Sequence, residues 1–349
     1  MTTRYRIEPL ETDESARWDE LITPYETAGV FHRNPWLDFL IATRGVEFRR
    51  WAIREGHRTQ GYFCGAIQRK GPFAALGSPL TGWQTPFMGP IVNRDVDFGD
   101  LLDALDVLAR EEHLAVVELG NPQLPENVMR AAGYDIKPAC TLLVRLTPGN
   151  QAAMWNGLDS KCRNQVRKAQ KSRLTIDETE SPDIVDEYYD QYTAAMHNRG
   201  LAVQYPRDHA HRLFSFLIKA DLLFALRVRD QAGRVLATGL FPHDQRAVYY
   251  WAGASWPDAR ELCPNDFLQW HLMCLAAERG LTRYDMLGTG HFKSKFGGTL
   301  VPWTRWRRFR GPTARWAWHA YELCVAKRRE VARRIPRLFT LKGAGGRYA

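Results

Sequence analysis

The fold is decided by residues 281–298, which read Leu-Thr-Arg-Tyr-Asp-Met-Leu-Gly-Thr-Gly-His-Phe-Lys-Ser-Lys-Phe-Gly-Gly. Residues 282–287 have the apolar and aromatic pattern of a short strand, with Asp285 inside it. Residues 288–290, Gly-Thr-Gly, predict a flexible corner, because glycine adopts backbone angles that other residues rarely adopt. A strand that ends in such a corner lets the backbone approach a ligand closely.

Lys293 follows the corner and lies between Phe292 and Phe296. A lysine framed by aromatic residues can stabilise an oxyanion that develops during acyl transfer. The same residues are also compatible with a strand end, a loop and a solvated lysine. The stretch alone leaves both interpretations open, and the rest of the chain has to decide between them.

The composition is that of an ordinary soluble protein, with 349 residues, 45% hydrophobic and 25% charged. This length accommodates two domains. The chain contains no run of about 18 apolar residues, so we expect neither a signal peptide nor a membrane span, and a cytoplasmic location. Six cysteines are scattered without a Cys-x-x-Cys motif, which predicts reduced core residues.

The net charge of +9 is concentrated at one end of the chain. Residues 301–349 contain thirteen Lys or Arg and two Glu, a balance of +11, so the remaining 300 residues sum to −2. A near-neutral body with a basic tail indicates one local contact with an anionic partner.

The best candidate for a domain boundary is Thr147-Pro148-Gly149-Asn150. It predicts a first domain over 1–147 and a second over 148–311. Residues 312–349 are predicted to form a basic C-terminal helix and tail.

Local patterns also predict individual elements. They favour a helix over 12–25, a cleft-lining loop without strands over 71–92 and a helix over 154–171. Segments 234–242 and 246–252 are predicted to pair as a hairpin.

The two halves resemble each other. A helix over 100–112 followed by Leu-Ala-Val-Val-Glu-Leu matches a helix over 266–279 followed by Leu-Thr-Arg-Tyr-Asp-Met. The period of about 165 residues indicates two copies of one α+β unit rather than a solenoid. The first copy has Pro122 and Pro125 where the second has its lysine loop, so we expect the second half to carry the chemistry.

A basic stripe lies in the segment 161–173, which contains six Lys or Arg and no acidic residue. Arg163, Arg167 and Lys171 follow each other at intervals of four, which places them on one helix face. Such a face indicates phosphate recognition, because the arginine fork matches phosphate oxygens. A plain solvated face is the alternative.

An aromatic segment, 249–256, reads Tyr-Tyr-Trp-Ala-Gly-Ala-Ser-Trp. Strand alternation directs Tyr249 and Trp251 to one face and Tyr250 to the other. One set is expected in the core, and the other could line a substrate channel.

The basic tail has an aromatic first part, 316–325, which we expect to pack on the body. Its second part, with five Lys or Arg over 327–334, could contact RNA phosphates. It could also lie on an anionic membrane surface with its tryptophans at the interface. The sequence does not separate these two partners.

Common catalytic motifs are absent from the sequence. It contains no HExxH, Gly-x-Ser-x-Gly, P-loop or Gly-x-Gly-x-x-Gly motif, which disfavours metalloproteases, serine hydrolases, P-loop NTPases and Rossmann enzymes. His209 and His211 are two residues apart and face apart on a helix. We therefore expect no metal site.

Several motifs occur in the order of a known family. The segment 155–169 reads Trp-Asn-Gly-Leu-Asp-Ser-Lys-Cys-Arg-Asn-Gln-Val-Arg-Lys-Ala, and it is followed by 249–255, Pro264-Asn265, Tyr284-Asp285 and Phe292-Lys293. Together they resemble the FemABX-like (CelD-like) transferases of the GNAT superfamily.

The first half resembles a more divergent copy of the same domain, marked by Phe31 to Trp36 and by Met88-Gly89-Pro90. The resemblance implies an α+β protein with two tandem GNAT-like domains around an acceptor cleft. Each would contain a mixed, mostly antiparallel sheet flanked by helices. The family's lysine falls on Lys293 and its arginine on Arg163.

The family also implies an activity. Its best-known members move an aminoacyl group from aminoacyl-tRNA to an amine of a peptidoglycan precursor, and other members of the superfamily use acyl-CoA. This chain lacks both the coiled-coil arm of some tRNA-dependent members and the glycine-rich loop with which CoA-dependent members bind pyrophosphate. The second departure weighs more, so the resemblance favours aminoacyl-tRNA.

The predicted function is therefore aminoacyl transfer from aminoacyl-tRNA to a small-molecule or peptide amine. The first alternative is an N-acyltransferase that uses acyl-CoA or an acyl carrier protein, for envelope polysaccharide or secondary metabolism. The second is a non-catalytic module that binds RNA or a membrane through the tail. Neither a metal nor a redox cofactor is expected, since the acyl donor is a co-substrate.

The predicted site has two sets of residues. The catalytic set contains Lys293, which would stabilise the oxyanion, and Asp285 or Tyr284, which would accept the amine proton. The substrate-binding set consists of Arg163, Arg167, Lys171, Tyr249, Trp251, Phe292 and Trp36.

Overall fold

The computed structural model describes residues 3–70, 73–320 and 323. Within these ranges the strands are, in chain order, β1 (Arg6–Pro9), β2 (Phe48–Glu55), β3 (Arg58–Lys70), β4 (Phe73–Ser78), β5 (Ile91–Val92), β6 (Val116–Gly120), β7 (Asp135–Arg145), β8 (Thr175–Glu178), β9 (Leu223–Arg229), β10 (Val235–Pro242), β11 (Ala247–Tyr249), β12 (Ala252–Ser255), β13 (Arg283–Asp285) and β14 (Thr299–Phe309).

The α-helices within the same ranges are α1 (Thr12–Ala16), α2 (Trp18–Ile22), α3 (Asn34–Arg44), α4 (Phe98–Glu111), α5 (Glu126–Ala131), α6 (Gln151–Gly157), α7 (Ser160–Lys171), α8 (Asp183–His197), α9 (Arg207–Ile218), α10 (Pro264–Glu278) and α11 (His291–Ser294). Residues 312–320 are also helical.

The strands form two sheets. The larger has the order β1-β2-β3-β4-β6-β14-β7-β13-β11, with β5 paired to β3, and the smaller has the order β12-β10-β9-β8. The pairs β4–β6 and β11–β13 are parallel, and the other pairs are antiparallel. The chain is therefore an α+β protein with mixed, mostly antiparallel sheets, as predicted.

The centre of the large sheet contains an exchange of strands between the two halves. From the middle outward, β14, β6 and β4 lie on one side, and β7, β13 and β11 lie on the other. Strand β7 belongs to the first half but pairs with β13 of the second, and β14 belongs to the second half but pairs with β6 of the first. Each half of the sequence therefore completes its part of the sheet with a strand from the other half.

One apolar cluster joins the two halves. Phe31, Trp36 and Phe39 of the first half share this core with Tyr188 and Phe214 of the second. Separate cores lie under α4 in the first half and under α10 in the second. The domain limits predicted at residues 147 and 311 stay predictions, although β7 does end at Arg145 and α6 begins at Gln151.

Two predicted helices are interrupted. The helix expected over 12–25 is two short helices, α1 and α2. The helix expected over 154–171 breaks at Leu158, because the side chain of Asp159 accepts a hydrogen bond of 2.7 Å from the backbone N–H of Cys162 and starts α7 there. A local N-cap thus overrides the apolar periodicity that continues through the break.

The prediction of a strandless loop over 71–92 was wrong. Strand β4 lies inside this segment, pairs with β3 and β6, and is buried from Ala74 onward. Of the four prolines that suggested a loop, Pro72 precedes the strand and those at 79, 86 and 90 follow it. The apolar residues between Pro72 and Pro79 were therefore sufficient for a central strand.

The predicted hairpin was also wrong, because the two segments pair mainly with other strands. Strand β10 pairs with β12, from Ala237 opposite Ser255 to Leu240 opposite Ala252. Strand β11 instead pairs with β13, and only one bridge, His243 to Val248, remains from the expected pairing.

The basic tail lies mostly outside the described residues, since beyond 320 only Leu323 is described. Of the basic helix and tail expected over 312–349, only the helix over 312–320 and Leu323 are described. In the described part of the chain no helix is long and apolar enough to cross a bilayer. The same residues contain no group of three or more His, Cys, Asp or Glu that could hold a metal ion.

Candidate active site

The candidate site lies where strands β12 and β13 separate. The segment 247–255 pairs with β13 in its first part and with β10 in its second, so the chain changes sheets at Tyr250 and Trp251. The last link is a 2.9 Å hydrogen bond from the backbone N–H of Tyr250 to the carbonyl oxygen of Asp285. Beyond this bond the chain leaves β13 and pairs with β10 of the smaller sheet.

The aromatic residues of this segment alternate as predicted. Tyr249 and Trp251 belong to the core that joins the two halves, and Tyr250 packs on the core of the second half. One face of segment 249–251 therefore packs on the core shared by the two halves, and the other packs on the core of the second half.

Lys293 lies beside this change of sheet. Its Nζ donates hydrogen bonds to the carbonyl oxygens of Met286 (2.5 Å) and Leu287 (3.3 Å), and it lies 5.1 Å from the centroid of the Tyr250 ring. Burial lowers the pKa of the Lys293 ammonium, and the nearby Asp285 carboxylate partly counters this effect. Lys293 is thus held by the end of β13 rather than freely solvated.

The glycine corner makes this geometry accessible. Gly288 has a φ of 129° and Gly290 a φ of 149°, which residues with a Cβ rarely adopt. A Cβ on Gly288 would also lie 3.7 Å from Nζ of Lys293. The corner therefore turns the chain so that α11 directs the lysine back onto the strand that precedes it.

Asp285 ends strand β13 and is only 5% exposed. Its Oδ1 accepts a hydrogen bond from the Thr141 hydroxyl and another, of 2.8 Å, from the backbone N–H of Leu287. Burial raises the pKa of the Asp285 carboxyl, and these two hydrogen bonds act in the opposite direction. A buried carboxylate with a raised pKa is suited to accept a proton.

Thr141 was not predicted as a site residue. It lies on β7, so it comes from the first half of the chain, and its hydroxyl also accepts a 3.0 Å hydrogen bond from the backbone N–H of Gly288. One side chain thereby fixes both Asp285 and the glycine corner. No local pattern could have indicated this role, because it depends on a contact between residues 144 positions apart.

Tyr284 lies on the other face of β13. It is fully buried, its hydroxyl donates to the side chain of Gln269, and burial holds its pKa well above the ordinary value. The structure therefore brings Lys293 and Asp285 to the end of the strand and places Tyr284 in the core behind it.

A second lysine, Lys295, was also missed. It forms a buried ion pair with Asp266 in the first turn of α10, and its Nζ donates a 3.1 Å hydrogen bond to Gln165 of α7. It also lies 4.4 Å from the centroid of the Phe292 ring. The Lys-Ser-Lys spacing and the acidic residue at the start of a predicted helix were visible in the sequence, but their pairing was not.

The N-terminus of α10 is filled by its own side chains. Helix N-termini attract anions because their first N–H groups are unpaired and the helix dipole is positive there. Here Pro264, in the first turn, has no N–H to donate. Asp266 places a buried carboxylate in the same turn, where Lys295 neutralises it. A phosphate at this position would face an existing negative charge.

The basic stripe on α7 has two parts. Arg163 donates to the carbonyl oxygens of Leu158 and Asn156, and so caps the end of α6. Arg167 and Lys171 are exposed, and the Arg167 guanidinium lies 5.3 Å from the Trp155 ring centroid. The predicted phosphate contact is thus geometrically accessible at Arg167 and Lys171, whereas Arg163 is engaged locally.

The predicted aromatic residues also differ in how much of their surface is exposed. Trp36 is fully buried and donates a 3.1 Å hydrogen bond from Nε1 to the Thr85 hydroxyl. Tyr249 is buried and donates to Asp244. Trp251 and Phe292 are only half-buried, and they pack against different apolar clusters. Of the four, Trp251 and Phe292 are therefore the ones with accessible surface.

Asp244 connects the two halves beside the site. Its Oδ2 accepts hydrogen bonds from the backbone N–H of Val30 (3.1 Å) and from the Tyr249 hydroxyl (3.0 Å). Its Oδ1 accepts from the backbone N–H groups of Arg246 and Ala247. This buried carboxylate holds the start of β11 against the first half.

One protein-family model matches part of the second half of the chain. Residues 159–295 match the family model described as an acetyltransferase (GNAT) domain. That segment contains α7, the separating strands and Lys293. This segment of the second half is therefore similar to a GNAT acetyltransferase domain.

Solved structures resemble most of the chain in fold. A crystal structure of FemX has a TM-score of 0.69 at 15% identity, over 85% of this chain and 96% of FemX. The structure of L-PGS from Bacillus licheniformis has a TM-score of 0.53 at 11% identity, over 88% and 94%. A tandem GNAT protein from the clavulanic acid biosynthesis pathway has a TM-score of 0.51 at 13% identity, over 88% and 99%.

These identities are low, so the likeness concerns the fold. It confirms the predicted FemABX-like arrangement of two tandem GNAT-like domains. No curated protein matches the chain.

Proposed function

We propose that the protein transfers an aminoacyl group from aminoacyl-tRNA to the amine of a small-molecule or peptide acceptor. The observation that carries the choice of donor is the closed N-terminus of α10. The pyrophosphate of a CoA donor bound there would lie against the buried carboxylate of Asp266 and would compete with it for Lys295. A donor whose phosphates bind elsewhere meets no such conflict.

Aminoacyl-tRNA has its phosphates away from the reacting ester. The exposed cations of α7, Arg167 and Lys171, offer one surface for them. Trp155, half-buried under Arg167, adds an aromatic ring to the same surface. Cations interleaved with aromatic rings are typical of surfaces that bind single-stranded nucleic acid.

In this proposal the acceptor amine attacks the carbonyl carbon of the aminoacyl ester. A C–N bond forms, the carbonyl oxygen becomes an oxyanion, and the C–O bond to the tRNA ribose then breaks. The Lys293 ammonium has three N–H donors, of which two contact the carbonyl oxygens of Met286 and Leu287. The third is available to the oxyanion, a contact whose loss costs about 3–4 kcal/mol.

Asp285 accepts the proton that the amine loses, directly or through water, and that proton is returned to the ribose oxygen as it leaves. Both hydrogen bonds to this carboxylate go to Oδ1, so Oδ2 is the atom assigned to the proton. Tyr284 takes no part in this scheme, because its hydroxyl is buried against Gln269.

The experiment is to incubate the protein with charged tRNA, with acyl-CoAs and with a panel of amines, and to identify products by mass spectrometry. We expect aminoacylated amine and deacylated tRNA. Lys293→Ala should lower the rate of product formation about 10²–10³-fold, whereas Lys219→Ala, at an exposed lysine directly after α9, should not. If no donor is consumed, the transferase proposal fails.

A second candidate uses acyl-CoA or an acyl carrier protein, for envelope polysaccharide or secondary metabolism. It is favoured by the acetyltransferase description of the matched family model. It is also favoured by helix length, since the longest helices described between 150 and 300 have 15 residues and none forms a coiled-coil arm. Consumption of an acyl-CoA in the same experiment, with charged tRNA left intact, would establish this candidate instead.

A further inference from the structure

Two arginines face each other across neighbouring strands of the large sheet. Arg145 of β7 and Arg283 of β13 are directly opposite in the antiparallel register, and both are exposed. The Cβ atoms of such a pair lie about 5 Å apart, and like charges in this position destabilise a sheet. In the part of the chain that the structure describes, neither guanidinium has an ion-pair partner. The pair therefore lacks the counter-charge that would offset its repulsion.

A third arginine, Arg246, lies at the same end of β13. Its carbonyl oxygen accepts hydrogen bonds from the backbone N–H groups of Thr282 (3.0 Å) and Arg283 (3.2 Å). Its Nη1 is buried and has no hydrogen-bond partner among the described residues. Leaving a buried N–H of a charged group unpaired is costly, which indicates that a ligand supplies the missing acceptor. We call Arg145, Arg246 and Arg283 the arginine cluster.

The carboxylates near the arginine cluster already have partners. Glu26 forms an ion pair with Arg94. The pKa of the Glu26 carboxyl lies below its ordinary value because Arg94 hydrogen-bonds to it, and the charges of Arg246 and Arg283 add to this effect. Asp244 is buried, and its oxygens accept four hydrogen bonds from other groups. The cluster thus keeps an excess of positive charge.

The arginine pair shares a face of β13 with the proton acceptor of the proposed reaction. Side chains alternate along a strand, so Arg283 and Asp285 point to the same side and are about 7 Å apart along it. Leu143, opposite Asp285 on β7, is only half-buried, so this face is not fully covered. Tyr284 points to the other side, into the core that also contains Val166 of α7. The α7 cations proposed for the donor phosphates therefore lie beyond the opposite face.

We propose that the arginine cluster binds an anionic group of the acceptor, a carboxylate or a phosphate, while the acceptor amine lies at Asp285. The arginine fork matches the oxygens of both groups. This inference rests on the proposed transfer reaction and adds no chemical step to it. It narrows the acceptor to an amine that carries a negative charge a few bonds from its nitrogen.

The test is calorimetric binding of two pairs of amines to the full chain, with no acyl donor present. O-phosphoethanolamine carries a phosphate and γ-aminobutyrate a carboxylate, and ethanolamine and γ-aminobutyramide are their neutral counterparts. We expect an anionic amine to bind at least tenfold more tightly than its neutral counterpart. The tighter of the two anionic amines identifies the group that the cluster prefers.

Substitutions in the arginine pair locate the binding. Arg145→Gln and Arg283→Gln should each weaken binding of the anionic amine about tenfold, because each removes a charge-assisted hydrogen bond. The midpoint of urea denaturation should not fall in either variant, because each relieves the repulsion between two like charges. Arg58→Gln, at an exposed arginine on β3, is the matched control and should bind like the unchanged protein.

Three results would overturn the proposal. They are no preference for the anionic amines, an equal loss of binding in Arg58→Gln, and weaker binding of uncharged tRNA in the Arg145→Gln and Arg283→Gln variants with amine binding unchanged. The last would assign the cluster to the donor. Because the assay contains no donor, its failure leaves the transfer reaction untested by it. If the anionic amines bind through the cluster and charged tRNA yields no product, the transferase proposal alone fails.

Discussion

The two copies of the repeated unit carry an acidic residue at equivalent positions, but the two residues have different hydrogen-bond and ion-pair partners. Glu118 lies on β6, beside the parallel strand β4, and Asp285 lies on β13, beside the parallel strand β11. Glu118 is fully buried and forms ion pairs with Arg305 (3.3 Å) and Arg307 (3.2 Å). Asp285 is held by the Thr141 hydroxyl and a backbone N–H.

The exchanged strands cause this difference. Strand β14 places Arg307 opposite Glu118 and Arg305 two residues further along. Strand β7 places Leu143 opposite Asp285, and Thr141 is two residues further along. Two arginines in one copy thus correspond to a leucine and a threonine in the other. The first carboxylate is locked as a structural charge, and the second retains a raised pKa that suits proton transfer.

The largest effect should appear when the locked charge is removed. Glu118→Gln removes the carboxylate that pairs with Arg305 and Arg307, and breaking a buried pair costs about 3–5 kcal/mol. The free energy of unfolding, measured by urea denaturation, should fall by that amount. Asp285→Asn is an equally small change in side-chain shape. Asp285 is held by a hydroxyl and a backbone N–H rather than by arginines, so this variant should lose much less free energy of unfolding. Equal losses in the two variants would remove the distinction between the copies.

Lys293→Ala should have the next largest effect, on catalysis rather than on stability. Loss of one oxyanion contact should lower kcat about 10²–10³-fold. The rate of product formation from charged tRNA measures this directly. A kcat that is unchanged while KM rises would show that Lys293 binds substrate instead of stabilising the oxyanion.

A smaller effect is expected at Thr141. The Thr141 hydrogen bond lowers the pKa of Asp285, so Thr141→Val should raise that pKa further. Because the reaction needs the deprotonated carboxylate, activity falls as the pH falls through this pKa. The acid limb of the pH profile of kcat/KM should therefore move to higher pH in Thr141→Val, and it should stay in place in Thr141→Ser. A uniform loss at all pH values would mean that Thr141 only supports the fold.

The smallest effect should come from the basic stripe. Arg167→Gln and Lys171→Gln each remove one exposed cation, so each should weaken tRNA binding several-fold at low salt and reduce its salt dependence. Filter binding over a range of salt concentrations would show this. Lys219→Gln, at an exposed lysine directly after α9, provides the control, and an equal loss there would indicate a non-specific charge effect.

Short-range patterns predicted much of the second copy. The strand and glycine corner of 281–298 occur as expected, and so does the alternation of Tyr249 and Tyr250. The rings of Phe292 and Phe296, however, lie beside Lys295, and the ring that contacts Lys293 is that of Tyr250. These features depend on residues within one or two turns or strands. The repeat was likewise visible, because the helix–strand pattern ending in Glu118 recurs at Asp285.

The features that distinguish the copies were not predictable in this way. The roles of Arg305 and Thr141 depend on the exchange of β14 and β7, which pairs residues more than 130 positions apart. The ion pair of Lys295 with Asp266 depends on how α11 folds back on α10. Periodicity reports which face of an element is buried, but not which distant strand lies beside it.

The central claim is that the second copy performs the transfer and that the first copy supports it. The most direct test compares Asp285→Asn with Glu118→Gln in transfer from charged tRNA to an amine, at a temperature where both variants are folded by circular dichroism. We predict that Asp285→Asn is folded but inactive and that Glu118→Gln is less stable but retains transfer. Full activity in Asp285→Asn, or its loss in folded Glu118→Gln, would contradict the account.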